Sequence, residues 1–258
     1  MRGPLPMEGG TRGFTELLHE MGITPGTELV PGEKVPTVPE GTTVLAMRFD
    51  SGVVIAGDRR ATAGSLVAHR NIRKVFATDE WSAMAVAGTA GLALEMVRLF
   101  QTELEHFEKI EGRALTLDGK ANYLSRMVRN QLPMAMQGLV VVPLFAGYDH
   151  LDDIGRLYTF DVVGGRYEEQ EYGTTGSGAS LAKAYLRASY TAIPPENEAV
   201  SLAVRALVSA AQEDTATGGP DLRREIFPNV LKIDADGTTE IEDTVLQPIA
   251  SEALETIR

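Results

Sequence analysis

The chain has 258 residues, 43% of them hydrophobic and 23% charged, a length that fits one large domain or two small ones with ample chain to bury a core. A formal net charge of −12 argues against a nucleic-acid partner, because backbone phosphates would be repelled. The absence of cysteine excludes disulfides, thiol catalysis and Cys-ligated zinc. No apolar run approaches the ~20 residues that span a bilayer, so the cytoplasm is the expected location.

Residues 1–41 hold 6 of the 13 prolines and 8 of the 26 glycines. Their one amphipathic stretch, Phe14 to Met21, is too short and polar for the core of a secretory signal. At Gly41–Thr42 the composition changes. Thr43-Val44-Leu45-Ala46-Met47-Arg48-Phe49 is β-branched and apolar, Asp50-Ser51-Gly52 is a turn, and Val53-Val54-Ile55-Ala56 is a second strand, so residues 42–58 predict a hairpin. Val75-Phe76 and Ala83 to Val86 continue the sheet, with Arg70 to Lys74 on the connection that precedes them.

The period then shifts from two to about 3.6. Leu92, Met96, Phe100, Leu104 and Phe107 line one face of a helix that Gly112 ends. Leu117, Ala121, Leu124, Val128 and Leu132 repeat the pattern up to Gly138, and Pro133 within it predicts a kink or an early stop. Strands follow over Leu139–Tyr148, Arg156–Val163 and Arg166–Tyr172. Helices over Ser177–Tyr190 and Glu196–Glu213 are parted by Pro194-Pro195. A hairpin pairs Val230–Asp234 with Thr238–Ile241 around Asp236-Gly237, and a last helix runs from about Thr244 to Ile257. This order predicts a layered α/β or α+β domain.

The chemistry centres on Thr42. Cutting the Gly41–Thr42 bond would place a nucleophilic hydroxyl and a free α-amine on one residue, and such an amine titrates near pH 8, roughly 7.7–8.0. Lys74 precedes an apolar strand, where its cation would favour the deprotonated amine and hydroxyl of Thr42. Asp58, at the end of the second strand, would hold that ammonium in place. Gly88 closes a strand before a helix, where a backbone N–H can approach a substrate carbonyl. One such oxyanion donor is worth roughly 100- to 1000-fold in rate. Gly176-Ser177-Gly178 fails as a dinucleotide fingerprint because position 181 is Leu. No HExxH metal motif occurs, His19, His69, His106 and His150 are scattered, and no cofactor or metal is expected.

Gly41-Thr42-Thr43-Val44, Gly57-Asp58-Arg59-Arg60, Arg73-Lys74, Val86-Ala87-Gly88-Thr89, Gly176-Ser177-Gly178 and Asp214-Thr215-Ala216-Thr217-Gly218-Gly219 together resemble the proteasome β-subunit family. The run Gly218 to Leu222, with Ile226-Phe227-Pro228, resembles its actinobacterial branch. The resemblance covers residues 42–258 and implies the four-layer αββα sandwich of N-terminal nucleophile hydrolases, an α+β fold. It implies a propeptide, residues 1–41, removed by autocleavage between Gly41 and Thr42, and a catalytic domain over 42–258. It adds Ser177, Asp214 and Thr217 to the site around Thr42, Asp58, Lys74 and Gly88; Thr217 stands where the family usually has serine. It places the primary substrate pocket at Ala61, Ile72, Phe76, Val86, Ala90 and Leu94, all uncharged.

The implied partners are homo-heptameric β rings, proteasome α subunits, a ring-shaped AAA ATPase acting through the α ring, and protein substrates, some tagged with a ubiquitin-like protein. A self-processing threonine endopeptidase is therefore the expected activity. The alternatives are a non-catalytic ring-building subunit and a hydrolase of small amides.

Overall fold

The computed structural model describes residues 41–64 and 66–257; the segment before Gly41, with its amphipathic stretch, lies outside the described residues. Strand β1 (Thr43–Phe49) turns through Asp50 and Ser51 into β2 (Gly52–Gly57), with Phe49 opposite Gly52. A small hairpin of β3 (Ala61–Ala63) and β4 (Leu66–His69) comes next, followed by β5 (Val75–Asp79) and β6 (Ser82–Gly88). The hairpin was not expected from the sequence. All four residues of β4 are exposed, so no burial alternation announces it.

Helix α1 (Ala90–Glu111) ends at Gly112, whose φ of 67° closes the last turn in the left-handed region that glycine enters without a Cβ penalty. Helix α2 (Leu117–Asn130) stops early, as Pro133 predicts. The proline falls in the first turn of the short α3 (Leu132–Ala135), where a missing N–H leaves no partner unsatisfied. The chain continues with β7 (Val141–Asp149), β8 (Ile154–Phe160), β9 (Arg166–Glu169), β10 (Tyr172–Gly176), α4 (Ala179–Ser189) and α5 (Glu196–Glu213). It closes with β11 (Asn229–Asp234), β12 (Gly237–Glu240) and α6 (Asp243–Thr256).

The strands form two five-stranded sheets, β10-β1-β2-β11-β12 and β5-β6-β7-β8-β9, antiparallel at every pairing. Three apolar clusters mark the three interfaces between four layers. Leu45, Met47, Phe49, Val54 and Ala56 face α4, α5 and α6 on one outer side. Val44, Ala46, Val53, Ile55, Ala83, Ala85, Leu144 and Leu157 meet between the sheets. Met84, Val86, Phe145 and Tyr158 face α1 and α2 on the other side. Alternate residues of one strand thus enter different cores, which is why the strands read as unbroken apolar runs. Each large side chain moved out of water contributes on the order of 1.5–3 kcal/mol. The fold is the αββα, α+β sandwich that the resemblance implied.

Two expected strands need correction. Arg166–Tyr172 is not one strand: Glu169 pairs with Leu157 in one sheet, whereas Tyr172 pairs with Met47 in the other. The chain crosses between sheets at Gln170-Glu171, where Arg48 N–H donates to the Glu171 carbonyl at 2.8 Å. The strand expected to reach Val163 ends at Phe160, because Asp161 folds the chain into a turn by accepting the N–H groups of Val163 and Gly165 at 3.0 and 2.6 Å.

Candidate active site

Antiparallel pairing gathers the expected residues at one end of both sheets. Thr42 immediately precedes β1, Asp58 immediately follows β2, and the pairing of Val44 with Gly57 sets those two ends side by side. Thr43 pairs with Gly176, the last residue of β10, which brings Ser177 beside Thr42. Lys74 immediately precedes β5 and its carbonyl accepts the N–H of Val86 at 3.0 Å, so the end of β6 and Gly88 belong to the same corner. Asp214 caps the C-terminal end of α5.

Asp58 is fully buried and Lys74 is 2% exposed. Lys74 Nζ donates to Asp58 Oδ1 at 2.6 Å and to the carbonyl of Gly41 at 2.9 Å. The same carboxylate accepts three backbone N–H groups: Thr43 at 2.8 Å, Arg60 at 2.9 Å and Gly218 at 2.8 Å. Burial pushes the Lys74 ammonium below its ordinary value of 10.5, against the opposing pull of Asp58. Thr42 Oγ1 donates to the Gly41 carbonyl at 2.7 Å, so that one carbonyl oxygen receives both the hydroxyl and the ammonium.

Gly41 itself has a φ of 138°, and a Cβ there would stand 2.5 Å from Thr62 Oγ1 and 2.8 Å from Ala216 Cβ. Only glycine fits both the angle and the space.

A second group lies on the other flank of Thr42. Ser177 donates its N–H to the Thr42 carbonyl at 2.8 Å, and its Oγ donates to Asp214 Oδ2 at 2.6 Å. Thr217 Oγ1 donates to the same oxygen at 2.5 Å, and the N–H of Ala216 reaches Asp214 Oδ1 at 3.1 Å. Partial burial alone would raise the Asp214 carboxyl; the hydroxyls, the Ala216 N–H and the charge of Lys74 hold it below its ordinary 3.8.

An open cleft of about 360 Å³ runs past Thr42, bounded by Gly88, Gly138, Val140, Val142, Gly176 and Ser177. Gly88 has a φ of 111°, and a Cβ on it would meet the Val140 carbonyl oxygen at 2.1 Å. That is an unoccupiable position for any other residue.

None of the six residues expected to form the substrate pocket lines this cleft. Val86 and partly buried Phe76 pack together under α1. Buried Ala61 lies on β3, Ile72 on the connection before β5, and Ala90 and the exposed Leu94 on α1.

Two residues at the corner were missed. Arg60 sits within a quoted motif, yet its guanidinium role was not foreseen: it holds the Asp214–Gly219 loop through the carbonyls of Thr215 and Thr217 at 3.0 and 3.2 Å. The strand pattern gives Thr43 no role beyond β1, yet its fully buried side chain meets the Thr217 hydroxyl and the Gly178 N–H. Among the described residues no group of three or more His, Asp or Glu is placed to hold a metal ion, and no helix is long and apolar enough to cross a membrane.

Comparison with known proteins fits this arrangement. A family model described as Proteasome subunit matches residues 38–221. A protein named Proteasome subunit beta from Acidimicrobium ferrooxidans is 56% identical over 221 residues, covering 86% of this chain and 81% of its own. Proteins of the same name from Streptomyces griseus and Acidothermus cellulolyticus are 49% and 47% identical, covering 95% and 98% of this chain and 89% and 90% of theirs.

Proposed function

The chain belongs to the proteasome subunit family, as a β-type subunit of the core particle, and from that premise we propose that it is a self-processing threonine endopeptidase. One observation carries the proposal: the Gly41 carbonyl oxygen accepts both Thr42 Oγ1 and Lys74 Nζ. On this reading a buried cation polarises the bond to be cut, and the attacking hydroxyl stands within hydrogen-bond distance of its carbonyl oxygen. Intramolecular positioning of this kind supplies much of the barrier reduction.

In processing, Thr42 Oγ adds to the Gly41 carbonyl carbon, the Gly41–Thr42 C–N bond breaks, and an ester on Thr42 remains. Water hydrolyses that ester, releasing residues 1–41 with a free carboxylate and leaving Thr42 with a free α-amine. In turnover, that amine takes the Thr42 hydroxyl proton through a water as Oγ attacks a substrate carbonyl. The oxyanion accepts the Gly88 N–H, and Lys74, held by Asp58, favours the deprotonated nucleophile. The Asp214, Ser177 and Thr217 group orients the amine. Protonation releases the amine product, and water frees the acyl product from Thr42.

The wider reading follows the family. Homo-heptameric β rings stack between α rings in the cytoplasm and receive unfolded or ubiquitin-like-tagged proteins from a ring-shaped AAA ATPase. The primary pocket that the resemblance assigns to Ala61, Ile72, Phe76, Val86, Ala90 and Leu94, residues outside the cleft past Thr42, carries no charge, and on that assignment the enzyme favours apolar residues before the cut bond. The test is intact mass. The chain assembled with its α subunits loses residues 1–41, and Thr42→Ala retains them and has no peptidase activity. Trimming of Thr42→Ala in a protease-free preparation would overturn self-processing, and an assembled wild-type chain that keeps its leader would be a non-catalytic subunit.

A further inference from the structure

Thr43, the residue after the proposed nucleophile, touches both flanks of the site. Its backbone N–H donates to Asp58 Oδ1 at 2.8 Å, and its carbonyl accepts the N–H of Asp58 at 3.1 Å. Its side chain points to the opposite flank, where Oγ1 lies 2.5 Å from Thr217 Oγ1 and accepts the N–H of Gly178 at 2.9 Å. The residue is fully buried, so no water competes for that hydroxyl.

The proton order in this cluster follows from counting. Asp214 is an ionised carboxylate and only accepts, so the single proton of Thr217 goes to Asp214 Oδ2 at 2.5 Å. Thr43 must then donate to Thr217. The result is a one-way chain from Gly178 N–H to Thr43, to Thr217, to Asp214, in which each hydroxyl donates once and accepts once. Chains of this kind strengthen each other's bonds and fix rotors that would otherwise turn freely. The space around it is equally specified: a Cβ on Gly178 would stand 2.5 Å from Thr43 Oγ1 and 2.7 Å from Thr217 Oγ1.

We propose that Thr43 is a positioning residue, whose hydroxyl fixes Thr217 and through it sets the Asp214 carboxylate against the α-amine that Thr42 gains on processing. The proposal rests on the reading of Thr42 as an N-terminal nucleophile. It assigns position 43 a chemical task beyond strand pairing, and it requires a hydroxyl there, not merely a β-branched residue.

The test compares Thr43→Val, which keeps the shape, with Thr43→Ser, which keeps the hydroxyl, in rings assembled with α subunits and checked for processing by mass. Losing one buried hydrogen bond is expected to lower kcat by about 5- to 30-fold in Thr43→Val. KM should change little, and the acid limb of kcat/KM, which reports the base of the free enzyme, should be displaced. Thr43→Ser should recover most of the loss and the original limb. A wild-type rate and pH profile in processed Thr43→Val overturns the proposal, and so does a loss that Thr43→Ser shares or that leaves the limb in place. Should Thr43→Val not assemble, Gly178→Ala keeps the N–H but drives a methyl group between the two hydroxyls of the same chain, and a wild-type rate and pH profile in that processed variant overturns the proposal. Thr42→Ala separates the two readings: residual peptidase activity there defeats the nucleophile assignment itself, whatever Thr43 does.

Discussion

The two carboxylates that flank Thr42 are held in opposite ways. Asp58 is sealed from solvent, and its oxygens accept three backbone N–H groups and one buried ammonium. Its donors come from β1, from the residues after β2, from the residue before β5 and from the loop after α5, so the whole corner must fold before that carboxylate is satisfied. Asp214 is half-buried, and two of its donors are side-chain hydroxyls, not backbone N–H groups. The difference separates two jobs. A backbone-fixed ion pair makes stability and chemistry inseparable, whereas a hydroxyl-held carboxylate can tune a proton without carrying the fold.

The largest effect should come from Lys74→Ala. It removes the cation from the Gly41 carbonyl and from the nucleophile, and peptidase activity should fall by about 1000-fold. It also leaves Asp58 buried without its ion partner, a change that costs on the order of 3–5 kcal/mol in buried pairs. Both losses should appear together, in fluorogenic-peptide hydrolysis and in denaturant midpoint. Normal hydrolysis by processed Lys74→Ala rings would remove the lysine from the chemistry. Because burial depresses the Lys74 ammonium below 10.5, the alkaline limb of wild-type kcat/KM should lie below that value.

Asp58→Asn should come next, at about 100-fold in rate. The amide keeps the shape, but its NH2 end must face either Lys74 and Thr43 N–H or the N–H groups of Arg60 and Gly218, so donors meet a donor on one side. Asp214→Asn should cost less, about 10-fold, because the amide oxygen can take the place of Oδ2 and keep both hydroxyl donors, so that only the Ala216 N–H meets the NH2 group. The contrast would collapse if Asp214→Asn proved as destabilising as Asp58→Asn in thermal melts.

The same contrast explains what the sequence disclosed. Gly41–Thr42, the β1–β2 hairpin and the ends of β2 and β6 were legible, because turn residues and apolar runs mark strand ends directly. The early end of α2 was legible from Pro133 alone. The passage from β9 to β10 was not, since Glu168-Glu169-Gln170-Glu171 contains neither glycine nor proline to mark a change of sheet. Nor was the hydroxyl chain through Thr43, because the side chain's face is set by which strand ends and loops meet it. Arg60 was likewise hidden: its partners are backbone carbonyls about 155 residues away in the chain, and carbonyls carry no sequence signature. The wall of the cleft at Gly138, Val140 and Val142 belongs to the entry into β7, which local patterning gave no reason to connect with Thr42.

The smallest expected effect is on acid stability, and it tests the comparison most finely. The folded state holds Asp214 below its ordinary value of 3.8, so the unfolded chain binds the proton more readily there. A depressed carboxyl contributes stability that is fully present above pH 3.8 and is lost as pH falls through the lower folded value. Partial exposure screens the term, so it should be modest beside the loss from a broken Lys74–Asp58 pair. A protonated Asp214 is close in shape and hydrogen-bonding capacity to asparagine. Wild-type protein and Asp214→Asn should therefore differ most near neutrality and converge in acid. Denaturant midpoints for both at pH 7, 5 and 3 measure this. A gap that widens as pH falls would mean that Asp214 gains its protons on folding instead of losing them, and that the hydroxyls around it favour the neutral acid.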